Sequence, residues 1–366
     1  MVRERGFFGK AIVFLLTVFA VIGLIAMSLS IICPYVNPNG FVWIAFFGLA
    51  FWEIFAFNVV IFILLLMMWS RKAWIALLAL AISIPGLKKS FAFGSKVDSP
   101  NSIKVMSYNV HLFDHIDRTT EEEAFYNQVV NFVREQSPDV LCFQEFVLRR
   151  PGKSYQKCID ELAQSTGLPY VFFNQKLRIG GNVIFSKYPL EKVSEDSGFG
   201  KESTSGVMVS VDAGKRGTFY LANVHLVSYM LTNNEIDVLV RPTEQRNVLD
   251  TVGMSVARKL KYAYEQRAEE IGTVLQAMPP VNGPVIVCGD FNDTPLSYVY
   301  RQMQKAGFVD TFTKVGHGIK PTYAGRLPLL RIDYIWANDK VTPLNFNRCR
   351  YKASDHYPVI LEFAIN

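Results

Sequence analysis

Five apolar runs in this 366-residue chain end in side chains able to do acid–base or ligand chemistry. Val285–Cys288 leads into Gly289, Asp290, Phe291, Asn292 and Asp293, and Ile103–Val110 ends at Asn109 and His111. Val140–Phe143 delivers Gln144 and Glu145, Phe219–Val224 ends in Asn223 and His225, and Asp355-His356 precedes the run Pro358–Leu361. Carboxylates and amides are costly to bury without partners, so a strand that carries them to its end points to a site. One such ending is equally well a plain turn, because Asp, Asn and Gly dominate turns. Five of them point to strands converging on one edge of a sheet sandwich, each contributing a ligand or a catalytic group. The donors are mostly oxygen, with two histidines and no candidate catalytic cysteine. That set suits a hard cation, Mg²⁺ or Mn²⁺, better than tetrahedral Zn²⁺. Mg²⁺ takes only one or two protein carboxylates and leaves room for substrate phosphate, which fits metal-assisted attack of water on phosphorus.

The elements that must hold these residues follow from pattern. Runs of four to eight apolar residues bounded by turn signals read as buried strands. These are 103–110, 140–143, 171–173, 183–185 after Gly180-Gly181-Asn182, a hairpin of 207–211 with 219–224, 331–336 with Asp333 at its middle, and 358–361. Helices are expected from Thr119–Glu123 through Arg134, over Tyr155–Thr166, over Val256–Gln276 and around Ser297–Ala306. Residues 228–250 have little periodicity, which leaves a substrate-contacting loop and an ordinary insertion both open. His111, His115 and His317 end no motif and are expected in surface or loop positions. The five cysteines show no paired metal spacing, and Cys142 and Cys288 read as core residues.

The first 95 residues are of another kind. They hold seven of the 38 basic residues and two of the 32 acidic ones, so the rest of the chain is nearly neutral, and net charge gives no support to nucleic-acid binding. The uncharged run 11–33 is long enough to cross a bilayer, as a transmembrane helix or a signal peptide. No small-residue cleavage site is evident, and further apolar runs at 41–69, broken by Glu53, and 73–87 favour about three spans within 1–90. Residues 91–101 read as a linker and 102–366 as a soluble catalytic domain. Basic residues mark the cytoplasmic side, so three spans place the soluble domain on the non-cytoplasmic side. The lipid bilayer is the expected partner of the spans, and no protein partner is expected.

The ordered set SYNVH (107–111), QE (144–145), NVHL (223–226), GDFND (289–293), RIDYI (331–335) and SDHYPV (354–359) resembles the endonuclease/exonuclease/phosphatase superfamily, which includes DNase I and the neutral sphingomyelinases. The resemblance implies a DNase I-like α/β four-layer sandwich, two packed mixed sheets flanked by helices, here preceded by a transmembrane segment. It implies a Mg²⁺-dependent phosphoesterase, with Mn²⁺ an alternative cofactor. By motif, Glu145 corresponds to the principal metal ligand, Asn109 and Gln144 to groups ordering its shell, and Asp355 to a second metal contact. Asp290 corresponds to the group that orients or deprotonates water, Asn292 and His225 to donors to the phosphate, and His356 with Asp333 to a base or transition-state stabiliser. The substrate stays open between a phospholipid headgroup, as for a sphingomyelinase, and DNA or RNA; a non-catalytic binding protein on the same fold is the third reading.

Overall fold

A computed structural model describes residues 6–111, 121–147, 154–173, 181–193, 198–199, 205–240, 249–278, 282–327, 329–351 and 353–366. The chain divides into two compact units, Met1–Ser90 with Thr294–Arg301, and Phe91–Asp293 with Gln302–Asn366.

Among the described residues of the first unit, only the helix Phe7–Ile32, extended by a short turn to Tyr35, is by itself long and apolar enough to cross a membrane. The run expected over 41–69 is two helices, Trp43–Leu49 and Phe51–Met67, bent by 67°. The run expected over 73–87 is Ala73–Ile82 and Ile84–Ser90, bent by 44°. The count is therefore one span, or up to three if each bent pair is a single span. Small residues let these helices meet: a Cβ on Gly23 would lie 2.5 Å from Asn58 Oδ1, and Asn58 Nδ2 donates to the Gly23 carbonyl at 3.1 Å. Glu53 is exposed in the first turn of Phe51–Met67, at the favourable end of the helix dipole for a carboxylate.

In the second unit two mixed sheets pack face to face. The first contains β1 (Ile103–Asn109), β2 (Val140–Phe146), β3 (Tyr170–Phe173) and β4 (Gly181–Ser186). The second contains β5 (Leu190–Lys192), β6 (Gly198–Phe199), β7 (Ser205–Asp212), β8 (Thr218–His225), β9 (Val285–Asp290), β10 (Val309–Asp310) and β11 (Asp333–Ala337). The chain then returns to the first sheet with β12 (Val341–Arg348) and β13 (Val359–Ile365), giving the orders β12-β13-β1-β2-β4-β3 and β10-β11-β9-β8-β7-β5, with β6 also on β7. Alternation explains the unbroken apolar runs. Val105, Val140, Cys142 and Ile184 enter the core between the sheets, while Met106, Leu141, Phe143 and Phe185 pack against Val129, Val133, Ile159 and Leu162 of the covering helices. A strand buried on both faces needs apolar residues at every position. Each fully buried Val or Leu contributes about 1.5–3 kcal/mol.

The helix Tyr155–Thr166 starts where Ser154 accepts from the Lys157 amide at 3.3 Å and stops at Gly167, whose φ of 73° is the left-handed cap glycine tolerates. Other expected bounds shift. The helix read over 256–276 extends over Leu249–Ala277. A helix, Asn233–Val240, lies within the segment read as aperiodic. Residues 91–101 have linker composition yet are tied down: Ala92–Phe93 pairs with His317–Gly318, and the Val97 amide donates to the Leu344 carbonyl at 2.8 Å.

Candidate active site

Register brings the polar strand ends together. In the second sheet Asp290 pairs with His225 on parallel β8 and with Asp333 on antiparallel β11. Three side chains on neighbouring strands thus stand about one strand spacing, ~4.8 Å, apart. Asp333 is the first residue of its strand, not a mid-strand residue as expected, and only a first residue on an antiparallel strand reaches the edge where β8 and β9 end. The Thr322 hydroxyl fixes that start, accepting from the amides of Ile332 at 2.9 Å and Asp333 at 3.0 Å. Gly289 precedes Asp290 because a Cβ there would come within 1.8 Å of the Val224 carbonyl oxygen, at a φ of 140° that side-chain-bearing residues avoid.

Asp290 is fully buried and accepts from Asn109 Nδ2 at 2.9 Å, from the Asn292 amide at 2.8 Å and from Asn292 Nδ2 at 3.1 Å. Burial pushes its carboxyl up to about 6, against the pull of the His356 cation. His356 Nδ1 lies 3.0 Å from the Asp333 carboxylate and its Nε2 lies 3.6 Å from Asp290 Oδ2. Burial opposes charge on His356, yet the carboxylates of Asp333 and Asp290 outweigh it and hold its pKa well above the ordinary histidine value.

Glu145 comes from the first sheet. The ladder between β2 and β4 shifts register between Phe143 and Phe146, and within that irregularity Glu145 has a φ of 50°. A bulge re-aims a side chain in this way, and a left-handed backbone at a non-glycine residue costs about 1–3 kcal/mol. His111 and Asn292 share that conformation, with φ of 45° and 51°. Asn109 Nδ2 also donates to Glu145 Oε1 at 3.1 Å, so one amide bridges the two sheets' carboxylates. His225 Nε2 lies 3.3 Å from Glu145 Oε1 and 3.8 Å from Asp290 Oδ2. Burial raises the Glu145 pKa, but His225 and the Asn109 bond outweigh it and leave the carboxyl below its ordinary value.

Asp355 stands at the rim, its Oδ1 3.5 Å from His111 Nδ1 and 3.9 Å from His356 Nε2. Gln144 does not line the cavity with the others. Its amide donates to Asn223 Oδ1 at 2.6 Å and Ser107 Oγ at 3.0 Å, and Asn223 Nδ2 donates to the Phe143 carbonyl at 2.8 Å. With Asn182 Nδ2 on the Asn223 carbonyl at 2.9 Å, these amides stitch the two sheets together below the site. His317 is exposed on the pair with Ala92–Phe93, and His115 lies outside the described residues.

A cavity of about 370 Å³ opens over the cluster, floored by His111, Glu145, Asp290, Asn292, Asp355 and His356. His111, expected at a surface or loop position, thus belongs to the site; its backbone amide, held 2.9 Å from Asn109 Oδ1, explains how. Arg267 was legible only as one residue of an amphipathic helix. It is fully buried, with Nε 3.4 Å from Asp293 Oδ2, Nη1 donating to the Val227 carbonyl at 3.1 Å, and the rings of Tyr229 and Tyr264 within 4.4 and 4.7 Å of its guanidinium carbon. It shares a helical stripe with Ala263 and Ile271, and an arginine on an otherwise apolar stripe is the signal that could have marked it.

The donor set fits a divalent cation. Glu145, Asp290, Asp333 and Asp355 bring four carboxylates together, no Lys or Arg lines the cavity among the described residues, and ligand atoms of Glu145, His225 and Asp290 lie within 4.8 Å of one another. A cation at this edge would offset charge that the imidazoles alone do not.

The family model described as "Endonuclease/Exonuclease/phosphatase family" matches residues 106–356, a span that holds all of these groups. A second model, described as a domain of unknown function, matches residues 10–90. No curated protein matches the chain. Among solved structures, an endonuclease/exonuclease/phosphatase from Beutenbergia cavernae DSM 12333 is 21% identical over 72% of this chain and 72% of its own, with a TM-score of 0.50. The human Nocturnin catalytic domain with bound sulfate anion is 17% identical over 72% of this chain and 94% of its own, with a TM-score of 0.49. Humanized D. rerio TDP2 is 16% identical over 72% of this chain and 99% of its own, with a TM-score of 0.48.

Proposed function

The chain belongs to the endonuclease/exonuclease/phosphatase family, and from that premise we propose that it is a membrane-anchored, divalent-metal-dependent phosphodiesterase. The observation that carries this reading is the convergence of Glu145, Asn109, His225, Asp290, Asp333 and His356 from two sheets onto one cavity edge. Glu145, assisted by Asn109 and Asp355, would hold Mg²⁺ or Mn²⁺, and Gln144 supports that edge through the buried amides rather than as a ligand. The metal, when bound, supplies Lewis-acid polarisation of the phosphoryl oxygens. Asp290 is held rigidly by three donated hydrogen bonds and, once ionised, orients a water and accepts its proton. His356, kept protonated by Asp333, and His225 offer N–H groups to the charge that builds on phosphoryl oxygens, whereas Asn292, expected as a further donor, gives its side-chain N–H groups to the Leu226 carbonyl and to Asp290 and so supports Asp290. The Asp333 carboxylate fixes the His356 ring through Nδ1, leaving Nε2 toward Asp290 and the cavity.

The substrate on this reading is a phosphodiester presented at a membrane surface, a phospholipid headgroup. Support comes from the apolar helix Phe7–Ile32 and the near-neutral remainder of the chain. Residues 1–90 form the anchor and 102–366 the catalytic domain, which would face the non-cytoplasmic side. The test uses the full chain in nanodiscs with bis(p-nitrophenyl) phosphate. Turnover is expected with Mg²⁺ or Mn²⁺ and is expected to vanish in EDTA and return on metal addition; equal turnover in EDTA refutes the metal-dependent reading.

A further inference from the structure

The cavity has two unlike linings. Beside the polar floor the cavity is lined by an aliphatic wall, Met230, Leu231 and Ile236 from one segment and Leu327, Leu330 and Ile332 from another. Its backbone is built rather than loose. Thr232 and Glu235 cap the helix Asn233–Val240 reciprocally, the Thr232 amide donating to Glu235 Oε2 at 2.8 Å and the Glu235 amide to Thr232 Oγ1 at 3.3 Å. Lys259 on the long helix then grips both parts of the segment, donating to Glu235 Oε2 at 2.7 Å and to the Met230 carbonyl at 3.0 Å. Met230 is 53% exposed on a left-handed backbone, φ 51°, an arrangement that holds a flexible apolar side chain at the cavity mouth. An ion pair between Arg326 and Asp237 joins the two wall segments.

Among the described residues, cations near the wall are committed to carboxylates: Lys259 to Glu235, Arg326 to Asp237, Arg331 to Asp310 and Arg267 to Asp293. None lines the cavity among the described residues. A nucleic-acid strand is tracked by cations along its phosphates, whereas a hydrocarbon gains only from apolar area removed from water. We propose that this wall is a binding subsite for a hydrocarbon chain on one alcohol of the substrate diester, with Leu231 and Leu330 determining specificity. The proposal rests on the phosphodiesterase reading for the site's chemistry, and the floor's position beside the wall puts the phosphorus at the polar end and the chain along the aliphatic one.

The experiment compares p-nitrophenyl methyl, butyl and octyl phosphates, each below its aggregation concentration, with the full chain in nanodiscs and Mg²⁺. It adds calorimetric binding of octyl phosphate against methyl phosphate. KM is expected to fall by about tenfold or more from methyl to octyl, given the gain per buried methylene. Leu231→Asn and Leu330→Asn, at half-buried positions, are expected to pull the octyl-to-methyl ratio of kcat/KM toward one while circular dichroism stays native. A native ratio near one, or faster turnover of thymidine 5′-p-nitrophenyl phosphate than of the octyl ester, overturns the subsite. Preferential binding of octyl phosphate that Leu231→Asn abolishes, with no ester cleaved, keeps the subsite and overturns the phosphodiesterase reading instead.

Discussion

Asp290 carries opposite demands for stability and for reaction. Its carboxyl is raised from the ordinary 3.8 to about 6, chiefly by burial, so the folded state holds the proton more tightly than the unfolded chain does. That proton stabilises fully below the ordinary value, and the benefit is lost as pH rises through about 6. Above pH 6 the ionised form therefore strains the fold, while the reaction needs it. Asp290→Asn leaves one acceptor oxygen where Oδ1 and Oδ2 now take three donors, and it is expected to remove most activity and to abolish the loss of stability, on the order of 2 kcal/mol or roughly 5 °C, that the native chain shows between pH 4 and pH 8 in EDTA. Thermal melts at both pH values check it, and an undiminished loss in the variant contradicts it. In the native enzyme the rate should climb through about pH 6 and stay high past neutrality, where His356 keeps its proton. Such residues were legible because each stands at the end of an apolar run. The bond between Asn182 and Asn223 was not, since a contact between sheets leaves no pattern along the chain. Nor was the bend at Glu145, which depends on a slip against a strand some forty residues on.

At the level of elements, the long helix Leu249–Ala277 acts as a clamp. Tyr264, Arg267 and Glu270 hold the segment after His225, the last through a bond from the Val227 amide at 2.9 Å, and Arg267 also holds Asp293 beside Asn292. Arg267 is a positioning residue: it touches neither the cavity floor nor the reacting atoms, but it ties both of their loops to one rigid rod. Arg267→Met strips the buried Asp293 of its guanidinium and is expected to cost about 3 kcal/mol or more of stability by thermal or urea melts. Arg267→Lys is expected to recover much of that stability while kcat stays well below native, because an ammonium does not fill the stacked slot between Tyr229 and Tyr264. Native kcat in Arg267→Lys would contradict the clamp. The helix itself was legible from its periodicity and Tyr155–Thr166 from its cap signals, whereas Asn233–Val240 escaped because its eight residues give barely two turns of pattern. β12 escaped too: Pro343 and Asn345 interrupt the alternation at a register shift on a strand edge.

For the molecule as a whole, orientation follows from the basic residues at its apolar runs. With three spans the catalytic unit is proposed to face away from the cytoplasm, and protease added to intact spheroplasts should then remove activity. Protection until the membrane is opened would reverse the orientation and favour an even number of spans. The long apolar helix Phe7–Ile32 was legible from uncharged length alone; the bends at 67° and 44° were not, because hydropathy registers apolar length and is blind to direction. The order of the first sheet has a further consequence, in time rather than in space. β1 lies between β2 and β13, so Ile103 must wait for Phe363 before its sheet is complete, and His356 arrives only just ahead of that strand. During synthesis the helix Phe7–Ile32 emerges long before either. On the proposed function, a growing chain therefore exposes its apolar helix while the edge that holds Asp290 and His356 is still unassembled, and a partly made chain is expected to cut no ester.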